Sequence, residues 1–205
     1  MSQKSKPPRH SYDDKFNIIF VGDENVGKTS IINRYINDTF SDEKKKTIGI
    51  DNYSKMVTIK EKKILLKVWD TVGQEKIALM TKSHYKIAHE IIIVCAIDNK
   101  ESFNSLNDWI ENIKDNLPNE TIPIFLMANK CDIEDTREVP REKLKELSEA
   151  YNIDFVECSA KDNINIAETF TRMISDIYQS NYNKTGFGLE EGSSSSGVNK
   201  LCCQE

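Results

Sequence analysis

The sequence predicts an α/β fold: a six-stranded, mostly parallel sheet with one antiparallel edge strand and helices on both faces. Three observations carry that expectation. Short apolar runs alternate with helical patterns between residues 15 and 180. Several of the runs are nearly continuous, as strands covered on both faces are. Two of them are separated only by Lys60–Lys63, too short a link for a crossover, so that pair reads as an antiparallel hairpin.

In chain order, Phe16–Val21 gives the first strand and Thr29–Ile36 the helix behind it. Met56–Ile59 and Ile64–Trp69 form the hairpin, and Ile91–Ile97 is the next strand. Ser102–Asp115 then places Phe103, Leu106, Trp109, Ile110 and Ile113 on one helical face. Ile122–Met127 is a further strand. Arg141–Tyr151 opens after Pro140 and carries Leu144 and Leu147. Phe155–Val156 closes the sheet. A last helix over Asn163–Tyr178 carries Ile166, Phe170, Met173, Ile174 and Ile177. No internal repeat is evident.

The 205 residues suffice for one domain with tails. Residues 1–14 read as a polar, disordered arm, 15–180 as the domain, and 181–205 as a flexible tail with a linker-like Gly192–Gly197 stretch. A net charge of -5 argues against a nucleic-acid surface. No apolar run is long enough for a transmembrane helix, and the N-terminus lacks a signal peptide's apolar core, so the chain is expected in the cytosol unless something anchors it. Cys95, Cys131 and Cys158 are scattered without zinc-finger spacing and read as reduced thiols. Cys202 and Cys203 sit together near the end.

The chemistry starts at Gly22-Asp-Glu-Asn-Val-Gly-Lys-Thr29, a G-x-x-x-x-G-K-T phosphate loop between a strand and a helix. Its glycines let backbone N–H groups approach phosphates, and the helix start adds a favourable dipole. Gly22, Asp23, Glu24, Asn25, Val26, Gly27, Lys28, Thr29 and Ser30 are the candidate contacts. Lys28 is placed to reach the β- and γ-phosphates, and the Thr29 hydroxyl to bind Mg²⁺.

Three further segments follow in order: Trp69-Asp-Thr-Val-Gly-Gln-Glu75, Asn129-Lys-Cys-Asp132 and Ser159-Ala-Lys161. Together with the loop they resemble the guanine-nucleotide motifs of the Ras superfamily, with its phosphate-loop NTPase G-domain fold. The resemblance implies GTP and GDP as ligands, Mg²⁺ as cofactor and slow GTP hydrolysis. It implies that Asp70 faces the metal through water, that the Gly73 N–H senses the γ-phosphate and that Gln74 orients the attacking water, with Lys28 and Gly73 assisting. Asp132 would accept from the guanine N1–H and 2-amino group, which adenine cannot offer. Asn129 would support the pocket and the Lys130 stem would pack along the base. Beside Ser159, the Ala160 N–H would meet guanine O6 and Lys161 would cover the base. Phe40 would pack edge-on to it. Thr47 would bind Mg²⁺ and the γ-phosphate only in the triphosphate state, so that losing the γ-phosphate loosens both the Thr47 and Gly73 loops.

Thr47-Ile-Gly-Ile-Asp51, Lys67-Val-Trp-Asp70 and Glu101-Ser-Phe-Asn104 resemble the Rab branch. The effector region would then comprise Lys44, Lys45, Lys46, Thr47, Ile48, Gly49, Ile50, Asp51 and Asn52, with Trp69 and Tyr85 completing an aromatic triad. Asn52 replaces that triad's usual phenylalanine. Lys76-Ile-Ala and His84-Tyr-Lys-Ile also depart from the Rab pattern, as do Glu24, Asn25 and Val72 around the phosphates. Glu24 leaves two readings open. Its carboxylate either crowds the γ-phosphate, giving a largely GTP-locked binding module, or turns to solvent and leaves hydrolysis intact. A nucleotide-dependent metabolic kinase is the weaker third class, since no second substrate domain is evident.

Leu201-Cys-Cys-Gln-Glu205 resembles Rab tails in which both cysteines, here Cys202 and Cys203, carry geranylgeranyl groups. With few basic residues in the tail, two lipids rather than a polybasic patch would hold the membrane. By resemblance the partners are an exchange factor, a GTPase-activating protein, the Rab escort protein, the GDP-dissociation inhibitor and effectors. The expected state is a monomer at the cytoplasmic face of a cell or organelle membrane in vesicle traffic, with a cytosolic pool.

Overall fold

A computed structural model describes residues 12–43, 47, 49–71, 82–117 and 122–184, with backbone only at 82, 84, 183 and 184. Its strands are β1 (Asp14–Val21), β2 (Ile50–Ile59), β3 (Lys62–Thr71), β4 (Glu90–Ala96), β5 (Ile124–Asn129) and β6 (Asp154–Glu157). They form one sheet in the order β2-β3-β1-β4-β5-β6. Only the edge pair β2–β3 is antiparallel; the other pairs are parallel. The predicted α/β class and the antiparallel edge are both present.

Covering both faces explains the continuous apolar runs. Along β1, Phe16, Ile18 and Phe20 face one core while Ile19 and Val21 face the other. Strand β4 divides likewise, with Ile92 and Val94 on the first side and Ile91 and Ile93 on the second. The first core is closed by α1 (Lys28–Asn37) through Ile31 and Ile32, and by α6 (Ile166–Lys184) through Phe170, Met173 and Ile174. The second is closed by Tyr85 of α2 (Lys82–Lys86), by Trp109, Ile110 and Ile113 of α4 (Leu106–Asn116), and by Leu144 of α5 (Arg141–Tyr151). Apolar area removed from water, at roughly 25 cal/mol per Å², is what makes these two layers cohere.

Four local differences from the sequence reading have physical causes. The Ser102–Asp115 helix is two helices, α3 (Lys100–Asn104) and α4. Ser105 between them bonds its hydroxyl back to the Glu101 carbonyl at 3.1 Å, a local competitor to the helix ladder. The last helix begins later than Asn163 because Asn163 and Asn165 take left-handed φ values of 58° and 57°. It then runs on to Lys184. The hairpin link shortens to Lys60 and Glu61, both left-handed (φ 45° and 65°), the conformation a tight two-residue turn demands. Strand β2 begins at Ile50, well before Met56, because register with β3 recruits a polar stretch that alternates exposed and half-buried positions. At the N-terminal side, Asp13 already bonds its N–H to the Lys63 carbonyl, and α6 passes residue 180.

All the parallel strands point the same way. The segments after β1, β3, β4, β5 and β6 therefore gather at one edge of the sheet, where open α/β folds bind ligands.

Candidate functional site

The loop between β1 and α1 is shaped by left-handed residues. Gly22 has φ +132°, and a Cβ there would lie 2.2 Å from the Val94 carbonyl oxygen. Gly27 has φ +94°, and its Cβ would meet Asn129 Nδ2 at 2.3 Å. Asn25 has φ 63°, a conformation asparagine tolerates better than most residues, which accounts for a side chain at that unusual position. Helix α1 opens with no side-chain cap and no acidic residue in its first turn, so no carboxylate of that turn would compete with an anion for the peptide N–H groups from Lys28 through Ser30.

Lys28 is folded into this loop. Its ammonium donates to the carbonyls of Gly22 and Asp23, both at 2.8 Å. Burial pushes it down to about 8, against the pull of Asp70, Asp23 and Glu24. Asp23 is itself held, because Trp109 Nε1 donates to its carboxylate at 2.9 Å. Glu24 is half-buried, and its Oε1 is screened from solvent. The loop thus covers one of the two carboxylate oxygens while the residue as a whole stays half-exposed.

Three oxygens converge beside the loop. Thr29 Oγ1 donates to Asp70 Oδ2 at 2.5 Å and lies 3.0 Å from Thr47 Oγ1. Asp70 is fully buried, and burial raises its pKa against the opposing Thr29 hydrogen bond and Lys28 charge. Its second oxygen, Oδ1, is buried and accepts no hydrogen bond among the described residues. Two hydroxyls and a carboxylate with an unmet acceptor are the donor set a hard divalent cation takes, so the residues fit Mg²⁺.

A second cluster holds the remaining motifs. Asn129, 2% exposed, donates from Nδ2 to the Val26 carbonyl at 2.9 Å and accepts from the Ala160 N–H at 3.2 Å, joining phosphate loop to base loop. Ser159 Oγ donates to Asp132 Oδ1 at 2.6 Å. Lys130, left-handed at φ 70°, is anchored by both Asp98 oxygens at 3.0 Å. Phe40 follows the α1 cap by two residues and packs, half-buried, on the first core. Lys161 is exposed at the rim.

The aromatic triad needs correction. Tyr85 is wholly buried in the second core, its hydroxyl 3.2 Å from Asn112 Oδ1, so it offers no surface to a partner. The continuous apolar neighbourhood of β4 explains this: Tyr85 closes one end of that layer. Trp69 is half-buried with Nε1 3.4 Å from Asn17 Oδ1, and Asn52 is exposed opposite it on β2. Ile50 packs against the second core, and Gly49 and Asp51 are exposed. Gly73 and Gln74, Lys44, Lys45, Lys46 and Ile48, and Cys202 and Cys203 lie outside the described residues.

Sequence reasoning missed Arg34, Asp98 and Trp109 as parts of the site. Asp98 and Trp109 are distant in sequence from the groups they hold, and Arg34 sits on a helix flank with no motif to mark it.

Fold and loop together define a guanine-nucleotide switch domain. The Ras family model matches residues 17–179. The chain is 40% identical over 167 residues to Ras-related protein Rab-3B of Bos taurus, covering 82% of this chain and 76% of that protein. It is 39% identical over 167 residues to Ras-related protein Rab-3A of Homo sapiens, with the same coverage of both. Ras-related protein Rab-3C of Bos taurus is 40% identical over 167 residues, covering 82% of this chain and 73% of that protein. The chain belongs to the Rab proteins of the Ras family of small GTPases, enzymes that hydrolyse GTP to GDP and phosphate. Membership implies guanine nucleotide and Mg²⁺ as its ligands. No helix among the described residues is long and apolar enough to cross a membrane.

Proposed function

We propose that this GTPase is a membrane-tethered switch in vesicle traffic whose GTP state is registered by Thr47 and by the Gly73 loop. The observation that carries the reading is the Thr47–Thr29–Asp70 cluster, which ties the segment leading into β2 to the metal position. Bound Mg²⁺ would supply neutralising charge between the phosphates. Thr29, Thr47 and Asp70 (through water) hold it. The loop from Gly22 to Ser30 cradles the phosphates with Lys28. Asp132, Ser159, Ala160, Lys161, Asn129, Lys130 and Phe40 form the base pocket, and Gln74 positions water. The Ala160 N–H must share its 3.2 Å bond to Asn129 with guanine O6, a length that leaves room for a second acceptor. Cys202 and Cys203 carry geranylgeranyl groups, residues 181–205 act as the tether, and exchange factor, activating protein, escort protein, dissociation inhibitor and effectors act on the domain.

The test is Thr47→Ala. Hydrogen exchange across residues 40–60 should differ between the GDP state and a non-hydrolysable GTP state in the native protein, and that difference should collapse in the variant. An undiminished difference in Thr47→Ala would overturn the switch reading.

A second reading, a module held mainly with GTP, is favoured by the buried Glu24 oxygen. Nucleotide eluted from freshly purified protein separates the two. Mostly GDP supports the cycling enzyme, and mostly GTP the module.

A further inference from the structure

We propose that Arg34 is the positioning residue that sets the guanine pocket, by clamping the base loop to the exit of α1. The proposal rests on the base-pocket reading above.

Arg34 lies on α1 and belongs to none of the nucleotide motifs, yet its side chain is only 15% exposed. Its Nε donates to the Ala160 carbonyl at 2.8 Å and its Nη2 to the Lys161 carbonyl at 3.0 Å. Two consecutive peptide carbonyls are thus gripped by one planar fork, a geometry guanidinium provides and ammonium does not. Holding these carbonyls fixes the planes of the Ala160–Lys161 and Lys161–Asp162 peptides, and with them the aim of the Lys161 and Asp162 N–H groups, which follow directly on Ala160.

The same guanidinium holds the other wall of the pocket. Nη1 donates to the Asp38 carbonyl at 3.2 Å and to Asp38 Oδ1 at 3.0 Å. The backbone carbonyl of Arg34 accepts the Asp38 N–H at 3.0 Å. Asp38 is the left-handed cap that ends α1, two residues before Phe40. Arg34 therefore ties the Phe40 segment and the base loop to one helix, which at its other end begins with Lys28 and Thr29. The Asn129 side chain makes the corresponding link on the inner side, from Val26 to Ala160. Ser159 is fixed separately, by Asp132 and by its backbone pairing with Ile164, whereas the Ala160 and Lys161 carbonyls rest on Arg34.

The test uses the full-length protein with Mg²⁺ and follows release of a fluorescent GDP, then competition by GDP, 6-thio-GDP and IDP. The 6-thio analogue reports donors aimed at position 6 of the base, and IDP reports the 2-amino contact of Asp132. Arg34→Met should speed release about 10- to 100-fold, the effect of losing one or two charge-assisted bonds. It should shrink the preference for GDP over 6-thio-GDP by about threefold or more, with the preference over IDP retained. Equal weakening toward all three diphosphates would mark a general loss of structure and overturn the proposal. If Arg34→Met does not fold, Arg34→Lys decides. It keeps charge and stem but cannot span two carbonyls, so release should quicken about three- to tenfold, and unchanged release overturns the assignment. Native protein that fails to prefer GDP over IDP would instead overturn the base-pocket reading. Native preference with Arg34 variants identical to it overturns only the clamp.

Discussion

Glu90 opens β4 at the end of the sheet opposite the nucleotide loops and is 6% exposed. Burial pushes its carboxyl up to about 8 from an ordinary 4.5. Asp176 and Asp154 push the same way, and Arg172 opposes them. Arg172 is already engaged by Asp154 and lies 3.7 Å from Asp176, so little of its charge is left for Glu90. A pKa raised in the folded state means the native protein holds a proton that the unfolded chain has lost. Stability should therefore fall as pH rises from 4.5 toward 8. At about 1.36 kcal/mol per pH unit, the loss reaches roughly 3 kcal/mol by pH 7. Glu90→Gln removes the ionisation and keeps the shape. It should stabilise the protein at pH 8 by about 4 kcal/mol, a rise in Tm of roughly 8–16 °C for a domain of this size, and the gain should largely vanish near pH 5. Urea unfolding of both proteins at pH 5 and pH 8, with GDP and Mg²⁺ at fixed saturation, reads the difference, in which the other titrating groups cancel. A difference that does not change between the two pH values would refute the reasoning. Nucleotide release should be the same in both proteins, since Glu90 is remote from the loops.

Other outcomes follow from the site. Glu24→Ser should accelerate activator-stimulated single-turnover hydrolysis by about tenfold if its carboxyl group crowds the γ-phosphate as the second reading has it; equal rates would acquit Glu24. Trp109→Phe deletes the indole donor to Asp23 and should raise the GDP release rate a few-fold, about 1 kcal/mol, with no comparable change in the chemical step. Asp132→Asn puts an N–H where guanine needs an acceptor, and competition binding should show preference moving from guanine toward xanthine diphosphate by about 100-fold. Serine at both Cys202 and Cys203 should move a tagged protein from the membrane to the soluble fraction, and unmodified thiols in membrane-bound native protein would sink the lipid-anchor reading.

What the sequence made legible has a common origin. Buried strands such as β4 require apolar side chains on both faces, and the phosphate loop requires glycine where a Cβ would strike Val94 or Asn129. Such local demands are written in local residues. Position-specific roles created by tertiary approach were not legible. Tyr85 reads as a surface aromatic until the second core closes over it. The Asp98–Lys130 and Trp109–Asp23 bonds join residues 32 and 86 positions apart. Helix ends were misjudged where asparagine took a left-handed conformation, since nothing but the local fold of Asn163 and Asn165 fixes that choice.

The register of the edge hairpin has a mechanical consequence. Ile50 pairs with Thr71 at the final rung, and Asp51 pairs with Asp70 just before it. Thr47 precedes that rung by three residues, and the chain toward Gly73 leaves it on the other strand. The two segments proposed above to answer the terminal phosphate thus continue from the two strands of a single antiparallel ribbon. Prising one end outward loads the same rung that seats the other. A regulator that grips either segment would load both strands at that rung, on the edge of the sheet farthest from β5 and β6. The hairpin thus puts the proposed switch at the margin of the sheet, outside the strands whose two faces are both covered by core.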